Sequence, residues 1–99
     1  MPRTAREKSP ESIYHIMVRS ISEVDLFKTG EDKLKYFQLI KKYKKEHNFK
    51  VYGYCLMDNH GHLIIDANGA DISTIMHGID SSYARYYNKT HKRRGHLFQ

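Results

Sequence analysis

The chain has 99 residues, of which 39% are hydrophobic, and this is enough for one small domain with a single core. Seventeen Lys and Arg against 11 Asp and Glu give a net charge of +6, so a polyanion is the expected partner. No apolar stretch approaches the roughly 20 residues of a spanning helix, which argues against membrane insertion. The single cysteine, Cys55, excludes an intrachain disulfide, and its place in an apolar strand predicts a buried, reduced thiol, so the cytoplasm is expected.

The first ten residues carry charge, serine and two prolines without an apolar period, so we predict a flexible basic arm over residues 1–10. Residues 11–99 are predicted to form one domain. At its start, Tyr14, Ile16 and Val18 alternate with a mixed set of residues, a pattern that predicts a β-strand from Ile13 to Arg19.

A helix is predicted next, with Thr29 as its N-cap and acidic residues in the first turn. The residues expected to face the core recur at helical spacing: Leu34, Phe37, Ile40 and Tyr43. Lysines gather towards its end at positions 41, 42, 44 and 45. Both the helix dipole and contact with nucleic acid would account for them.

A β-hairpin is predicted, with residues 49–56 as its first arm, Asp58 and Asn59 between the arms, and residues 63–65 continuing the second arm after the histidines. His60 and His62 lie at the start of its second arm. Because strand side chains alternate, both imidazoles are expected on one face. With Asp58 and Asn59 upstream, they form part of a divalent-metal site. The alternative is a pair of half-exposed strand histidines without a function.

A second helix is predicted to begin after Asp71 and to end near residues 89–94, followed by Gly95 as a helix stop. Its apolar row comprises Ile72, Ile75, Met76, Ile79, Tyr83 and Tyr86 or Tyr87. Residues 96–99 read as a strand that has only begun. The order predicts an α+β fold of the ferredoxin-like split βαβ type, an antiparallel sheet with two helices on one face and a truncated last strand or helix.

Four motifs in this order resemble the REP-associated tyrosine transposases, which are single-tyrosine HUH transposases: Ile13-Tyr14-His15 with Arg19, the segment from Tyr54 to His62, Ser82 to Asn88, and Arg93 to Gln99. The resemblance implies an enzyme, usually a homodimer, that nicks and rejoins single-stranded hairpin DNA through a 5′-phosphotyrosine. It also implies that His60 and His62 hold Mg²⁺ or Mn²⁺ against the scissile phosphate.

The sequence departs from the family pattern in two places. Gly61 lies between the histidines, where the family usually has a bulky apolar residue. The family's nucleophilic tyrosine lies on a helix downstream of the motif that ends at Gln99, so this helix is expected to be missing from the chain. Tyr83 is the candidate stand-in, although its place in the apolar row favours core packing.

Further residues are assigned supporting roles. His15, which shares a strand face with Arg19, and Asn59 are expected to support the metal or a phosphate. The residues expected to contact DNA are basic: Arg19, Arg85, Lys89, Lys92, Arg93 and Arg94. Two function classes stay open, a DNA-joining enzyme and a non-catalytic nucleic-acid-binding module or remnant. A structural zinc site lacks ligands, since the face on which Cys55 lies is not predictable.

Overall fold

Three strands form an antiparallel sheet whose middle strand is the last of the three in the chain. The computed structural model describes residues 13–21 and 24–99, and in them β1 is Ile13–Arg19, β2 is Lys50–Leu56 and β3 is His60–Asp66. The spatial order is β1-β3-β2, so β3 pairs on both sides. The arm predicted over residues 1–10 lies outside the described residues.

Two helices, α1 (Gly30–His47) and α2 (Ile72–Thr90), cover one face of this sheet. The strand residues under them are the alternate apolar ones: Tyr14, Ile16, Val18, Leu63 and Ile65. The intervening residues lie on the open face, where most are exposed or half-buried. The predicted α+β architecture is therefore confirmed. Neither α1 nor α2 carries a hydrophobic run that could span a lipid bilayer.

The start of α1 agrees with the prediction, but its buried face does not. The Thr29 hydroxyl accepts from the Asp32 amide at 3.1 Å, and the Asp32 carboxylate accepts from the Thr29 amide at 3.3 Å, which forms a capping box. The predicted row of Leu34, Phe37, Ile40 and Tyr43 is wrong in part, because the buried side consists of Asp32, Tyr36, Leu39 and Ile40. Leu34 is 53% exposed, since α1 turns this side towards the uncovered edge strand β2.

Helix α2 follows the predicted pattern closely. The Asp71 side chain caps it by accepting from the Ser73 amide at 3.0 Å. The predicted apolar row is buried: Ile72, Ile75, Met76, Ile79, Tyr83 and Tyr87. The helix ends at Thr90 with His91 as C-cap. Gly95 is therefore not the helix stop that we predicted. It lies beyond the helix and adopts a left-handed backbone conformation, with φ at 88°.

The last residues, predicted to begin a strand, make strand-like contacts with the end of β1 and the two residues after it. Phe98 forms an isolated antiparallel bridge with Ser20. The Ile21 amide donates to the Leu97 carbonyl at 2.8 Å, and the Gln99 amide donates to the Arg19 carbonyl at 3.0 Å. This pairing occupies the edge of the sheet opposite to β2.

Candidate metal and nucleic-acid site

The two hairpin histidines project from the open face of the sheet. His60 pairs opposite Arg19 of β1, and His62 pairs opposite Met17. Gly61 between them is buried on the helix side, as the alternation of a strand requires. The two rings are half-buried, and their centroids lie 5.2 Å apart with planes at 86°. The imidazoles thus lie side by side at one end of the sheet.

Each of these imidazoles is held through its Nδ1 atom. The Nδ1–H of His60 donates to the side-chain oxygen of Asn59 at 2.9 Å, and the Nδ1 of His62 lies 3.1 Å from the Nε2 of His15. An amide oxygen can only accept, so a neutral His60 carries its lone pair on Nε2. Among the described residues no hydrogen bond engages the Nε2 of either ring. This is the arrangement by which proteins orient metal-binding histidines.

The donor set fits a partly open metal site. In the part of the chain that the structure describes, no group of three or more His, Cys, Asp or Glu side chains is placed to hold a metal ion. His60 and His62 therefore offer two imidazole ligands, and the other positions are left to water and to ligand oxygens. A divalent ion bound by the two imidazoles would complete its coordination with water and phosphate oxygens, which are the ligands that Mg²⁺ keeps at other sites.

Cys55 lies on the same face as the histidines, which the sequence could not predict. An irregularity of register between Val51 and Gly53 shifts the alternation of β2 by one residue. As a result Cys55 pairs opposite His62 on the open face, where it is exposed, so the predicted burial of its thiol is wrong. It lines a shallow cavity of about 240 Å³ together with His15 and His62.

The comparisons with known proteins agree with this architecture. The sequence profile described as "Transposase IS200 like" matches residues 8–99. The chain belongs to the IS200-like transposase family. A solved structure of a REP-associated tyrosine transposase bound to a REP hairpin matches with a TM-score of 0.77 at 16% identity, covering 100% of this chain and 58% of that chain. At this identity the match shows a shared fold. No curated protein matches the sequence.

The match confirms the resemblance found in the sequence. IS200-like transposases cut and join DNA, and they generally use a divalent metal ion. The chain spans about 58% of the length of the solved transposase that it matches.

In this member of the IS200-like family, the packing around β3 explains why a residue as small as Gly61 lies between the histidines. A Cβ atom at Gly61 would lie 3.1 Å from Leu56 Cδ2 and 3.4 Å from Val18 Cγ2. The side chains of β1 and β2 therefore already fill the space under β3 that a larger residue would occupy. Both histidines keep their register on the open face.

The basic residues expected to contact DNA lie in two different places. Arg19 is exposed on the open face directly opposite His60. The remaining ones lie on α2 or in the turn after it, in the helix layer: Arg85, Lys89, Lys92, Arg93 and Arg94. Arg93 is half-buried and donates to the Asn88 side chain and the His96 carbonyl, both at 3.0 Å, so it shapes that turn.

Two tyrosines of α2 pack in the core and donate hydrogen bonds to the loop before α1. Tyr83 is fully buried and its hydroxyl donates to the Leu26 carbonyl at 2.7 Å. The Tyr87 hydroxyl donates to the Asp25 carbonyl. Burial raises the pKa of both Tyr83 and Tyr87 above that of a free phenol. These side chains lie on the helix side of the sheet, away from His60 and His62.

A buried carboxylate at Asp32 links the two helices. It accepts from the Tyr86 hydroxyl at 2.7 Å and from the His91 Nε2 at 2.9 Å. Burial alone would raise the pKa of Asp32, but the hydrogen bonds from Tyr86 and His91 and the charge of His91 hold that pKa below its usual value. Burial and the bond to Asp32 raise the pKa of Tyr86 to about 12. Asp32 therefore acts as a structural acceptor.

Proposed function

We propose that this chain binds single-stranded DNA that carries a hairpin, and that His60 and His62 hold Mg²⁺ or Mn²⁺ against one of its phosphates. The observation that carries this proposal is the pair of imidazoles whose Nδ1 atoms are occupied by Asn59 and His15. Family membership supports DNA as the partner, and the solved transposase is bound to a REP hairpin. The net charge of +6 favours binding of any polyanion.

The side chains have separable roles in this proposal. Asn59 and His15 fix the tautomer and the direction of the two histidine rings. Arg19, opposite His60, offers a guanidinium to a phosphate that approaches the open face. A divalent ion bound there would polarise a phosphoryl oxygen and stabilise the charge that develops on it during transfer.

The tyrosines of α2 are not proposed as nucleophiles. The hydroxyl of Tyr83 is buried and donates to a backbone carbonyl on the helix side of the sheet. A phenol with a raised pKa and no access to the histidine face is unsuited to attack a phosphate bound there. This observation favours a second candidate function, that of a DNA-binding module without strand cleavage.

The proposal is tested by following Mn²⁺, which broadens nearby NMR signals. With a hairpin oligonucleotide bound, Mn²⁺ is expected to broaden the imidazole signals of His60, His62 and the adjacent His15 before those of the histidines outside the open face. His60→Ala and His62→Ala should each weaken Mn²⁺ binding by about 100-fold or more, beyond the effect of losing a supporting hydrogen bond. Binding of the hairpin in EDTA should persist in both variants.

His77→Ala is the control, because His77 is an exposed histidine of α2. Equal broadening of all histidines, or unchanged Mn²⁺ binding in both hairpin variants, would exclude the metal site. Equal affinity for duplex and single-stranded DNA would exclude the proposed substrate class. Homodimerisation stays a prediction from the resemblance, and sedimentation as a monomer at high micromolar concentration would contradict it.

A further inference from the structure

A groove runs between α1 and the edge strand β2, and it reaches the open face of the sheet at Tyr54 and Cys55, which also line the cavity beside His15 and His62. Two adjoining cavities of about 410 and 600 Å³ form it, and both are lined by Phe37 and Tyr54. Its walls consist of apolar side chains from the two elements: Leu34, Phe37 and Ile40 from α1, and Val51, Tyr54 and Leu56 from β2. We call this surface the lysine groove because of its rim, described below.

The irregularity in β2 exposes an aromatic floor in the lysine groove. The register shift between Val51 and Gly53 turns Tyr54 towards α1, where its ring lies 5.5 Å from that of Phe37. Tyr54 nevertheless remains 49% exposed and the neighbouring Leu34 is 53% exposed. Apolar groups exposed together in a groove mark a binding surface more often than single exposed residues do.

The rim of the groove is basic. Four exposed lysines of α1 line it: Lys33, Lys41, Lys44 and Lys45. Within the described residues none of them forms a salt bridge, and no acidic side chain lines either cavity. The Nζ atom of Lys41 lies 5.6 Å from the Phe37 ring centre.

The helix dipole explains only part of this rim. Lys44 and Lys45 lie in the last turn, where a cation is favoured. Lys33 lies close to the N-terminus of α1, where the dipole disfavours a cation, and Lys41 lies well inside the helix. The common property of the four lysines is therefore their position along the groove.

We propose that the lysine groove binds a single-stranded segment of nucleic acid, with its phosphates on the lysines and a base on the exposed Tyr54 ring. A row of cations beside an aromatic floor is the combination by which proteins bind single strands. A duplex would satisfy the lysines but would offer no unpaired base to the ring. The inference rests on the DNA binding proposed above and adds a contact surface that neither His60 nor His62 lines.

Two double variants with the same loss of charge test this inference. Fluorescence anisotropy with a labelled oligothymidylate of about 12 nucleotides compares Lys41→Gln/Lys44→Gln, in the groove, with Lys28→Gln/Lys42→Gln, outside it. The groove variant is expected to bind about fivefold or more weakly, against about twofold or less for the control. Its log–log salt slope should fall by about 1.4, the value for two lost phosphate contacts with a single strand.

Stacking is tested separately with 2-aminopurine in the oligonucleotide. Tyr54→Leu should abolish the quenching caused by the tyrosine ring, and Tyr54→Phe should retain it. Equal weakening in both double variants, or no weakening in the groove variant, would overturn the inference. If the groove variant instead changes only the sedimentation of the protein, a second copy of the chain occupies the groove.

The outcomes for the histidine site and for the groove are distinguishable. Wild-type binding that does not depend on Lys41 and Lys44 would overturn the groove and leave the proposed function intact. Groove-dependent binding without Mn²⁺ at His60 and His62 would overturn the metal site and leave the groove. No binding of single strands by the wild type would overturn both.

Discussion

On the open face of the sheet, His60 and His62 are anchored through one ring nitrogen each, and among the described residues no hydrogen bond engages the other. On the helix-covered face, the hydroxyls of Tyr83, Tyr86 and Tyr87 are all donated to protein oxygens. The difference shows why the type of side chain does not by itself reveal a reactive group. Reactivity requires an available atom, which His60 and His62 keep at Nε2 and the three tyrosine hydroxyls do not.

The largest effect on stability is expected from the covered face. Tyr83→Phe should lower the free energy of unfolding by about 1–3 kcal/mol, because the buried Leu26 carbonyl would lose its donor. Urea denaturation measures this. The Mn²⁺ affinity of the histidine site should not change.

Tyr52→Phe is the matched control, since Tyr52 is 58% exposed and its hydroxyl lies 3.4 Å from Asp66. We expect a loss of less than about 0.5 kcal/mol there. If both variants lost the same stability, the contrast between the two faces would be wrong.

Substitutions on the open face should lower Mn²⁺ affinity and leave the stability of the fold nearly unchanged. His15→Phe keeps a ring but removes the nitrogen next to His62, so Mn²⁺ affinity should fall about 10–100-fold while stability changes little. His15→Gln should restore part of the affinity, because its amide oxygen accepts from the Nδ1–H of His62. Isothermal titration measures both variants, and unchanged affinity in His15→Phe would remove His15 from the site.

A pH dependence is expected from Asp80 on the covered face. Tyr36 donates to its carboxylate at 2.8 Å, and burial raises the pKa of Asp80 from 3.8 to about 7. Because the folded state binds the Asp80 proton more tightly than the unfolded state does, protonation of Asp80 stabilises the fold. This stabilisation is complete below about pH 4 and is lost as the pH rises through about 7.

Asp80→Asn should therefore raise the free energy of unfolding at pH 8 by about 1–2 kcal/mol and flatten its decline between pH 4 and 7. Denaturation at pH 5 and at pH 8 measures the change. Asp25→Asn, in an exposed loop position, should alter neither value. A wild-type stability that rises between pH 5 and 8 and stays unchanged in Asp80→Asn would contradict the assignment.

The smallest effect is expected at Gly61, which lies on the helix side of β3 between the two histidines. Gly61→Ala places a methyl group 3.1 Å from Leu56 Cδ2, and half-buried Leu56 can move by a few tenths of an ångström. We expect a loss of less than about 1 kcal/mol, with Mn²⁺ affinity unchanged. A large drop in Mn²⁺ affinity would show that packing under β3 controls the direction of the histidines.

Local patterns predicted the elements that depend on neighbouring residues. Thr29 and Asp71 were recognisable as caps because each lies before an amphipathic run, and the alternation around Tyr14, Ile16 and Val18 defined β1. The strand period also placed His60 and His62 on one face. The row on α1 was partly wrong because periodicity does not reveal which side of a helix its partners cover. Tyr36 is buried against α2, whereas Leu34 faces the uncovered edge of β2.

The sequence alone determined the order of the elements, the α+β class and the shared face of the two histidines, because these follow from contacts between residues close in the chain. Tertiary structure decided which atoms are free. The His15–His62 contact, the pairing of Cys55 with His62 and the burial of Tyr83 join residues distant in sequence. They depend on strand order and on one irregularity in β2, and no periodic pattern encodes either.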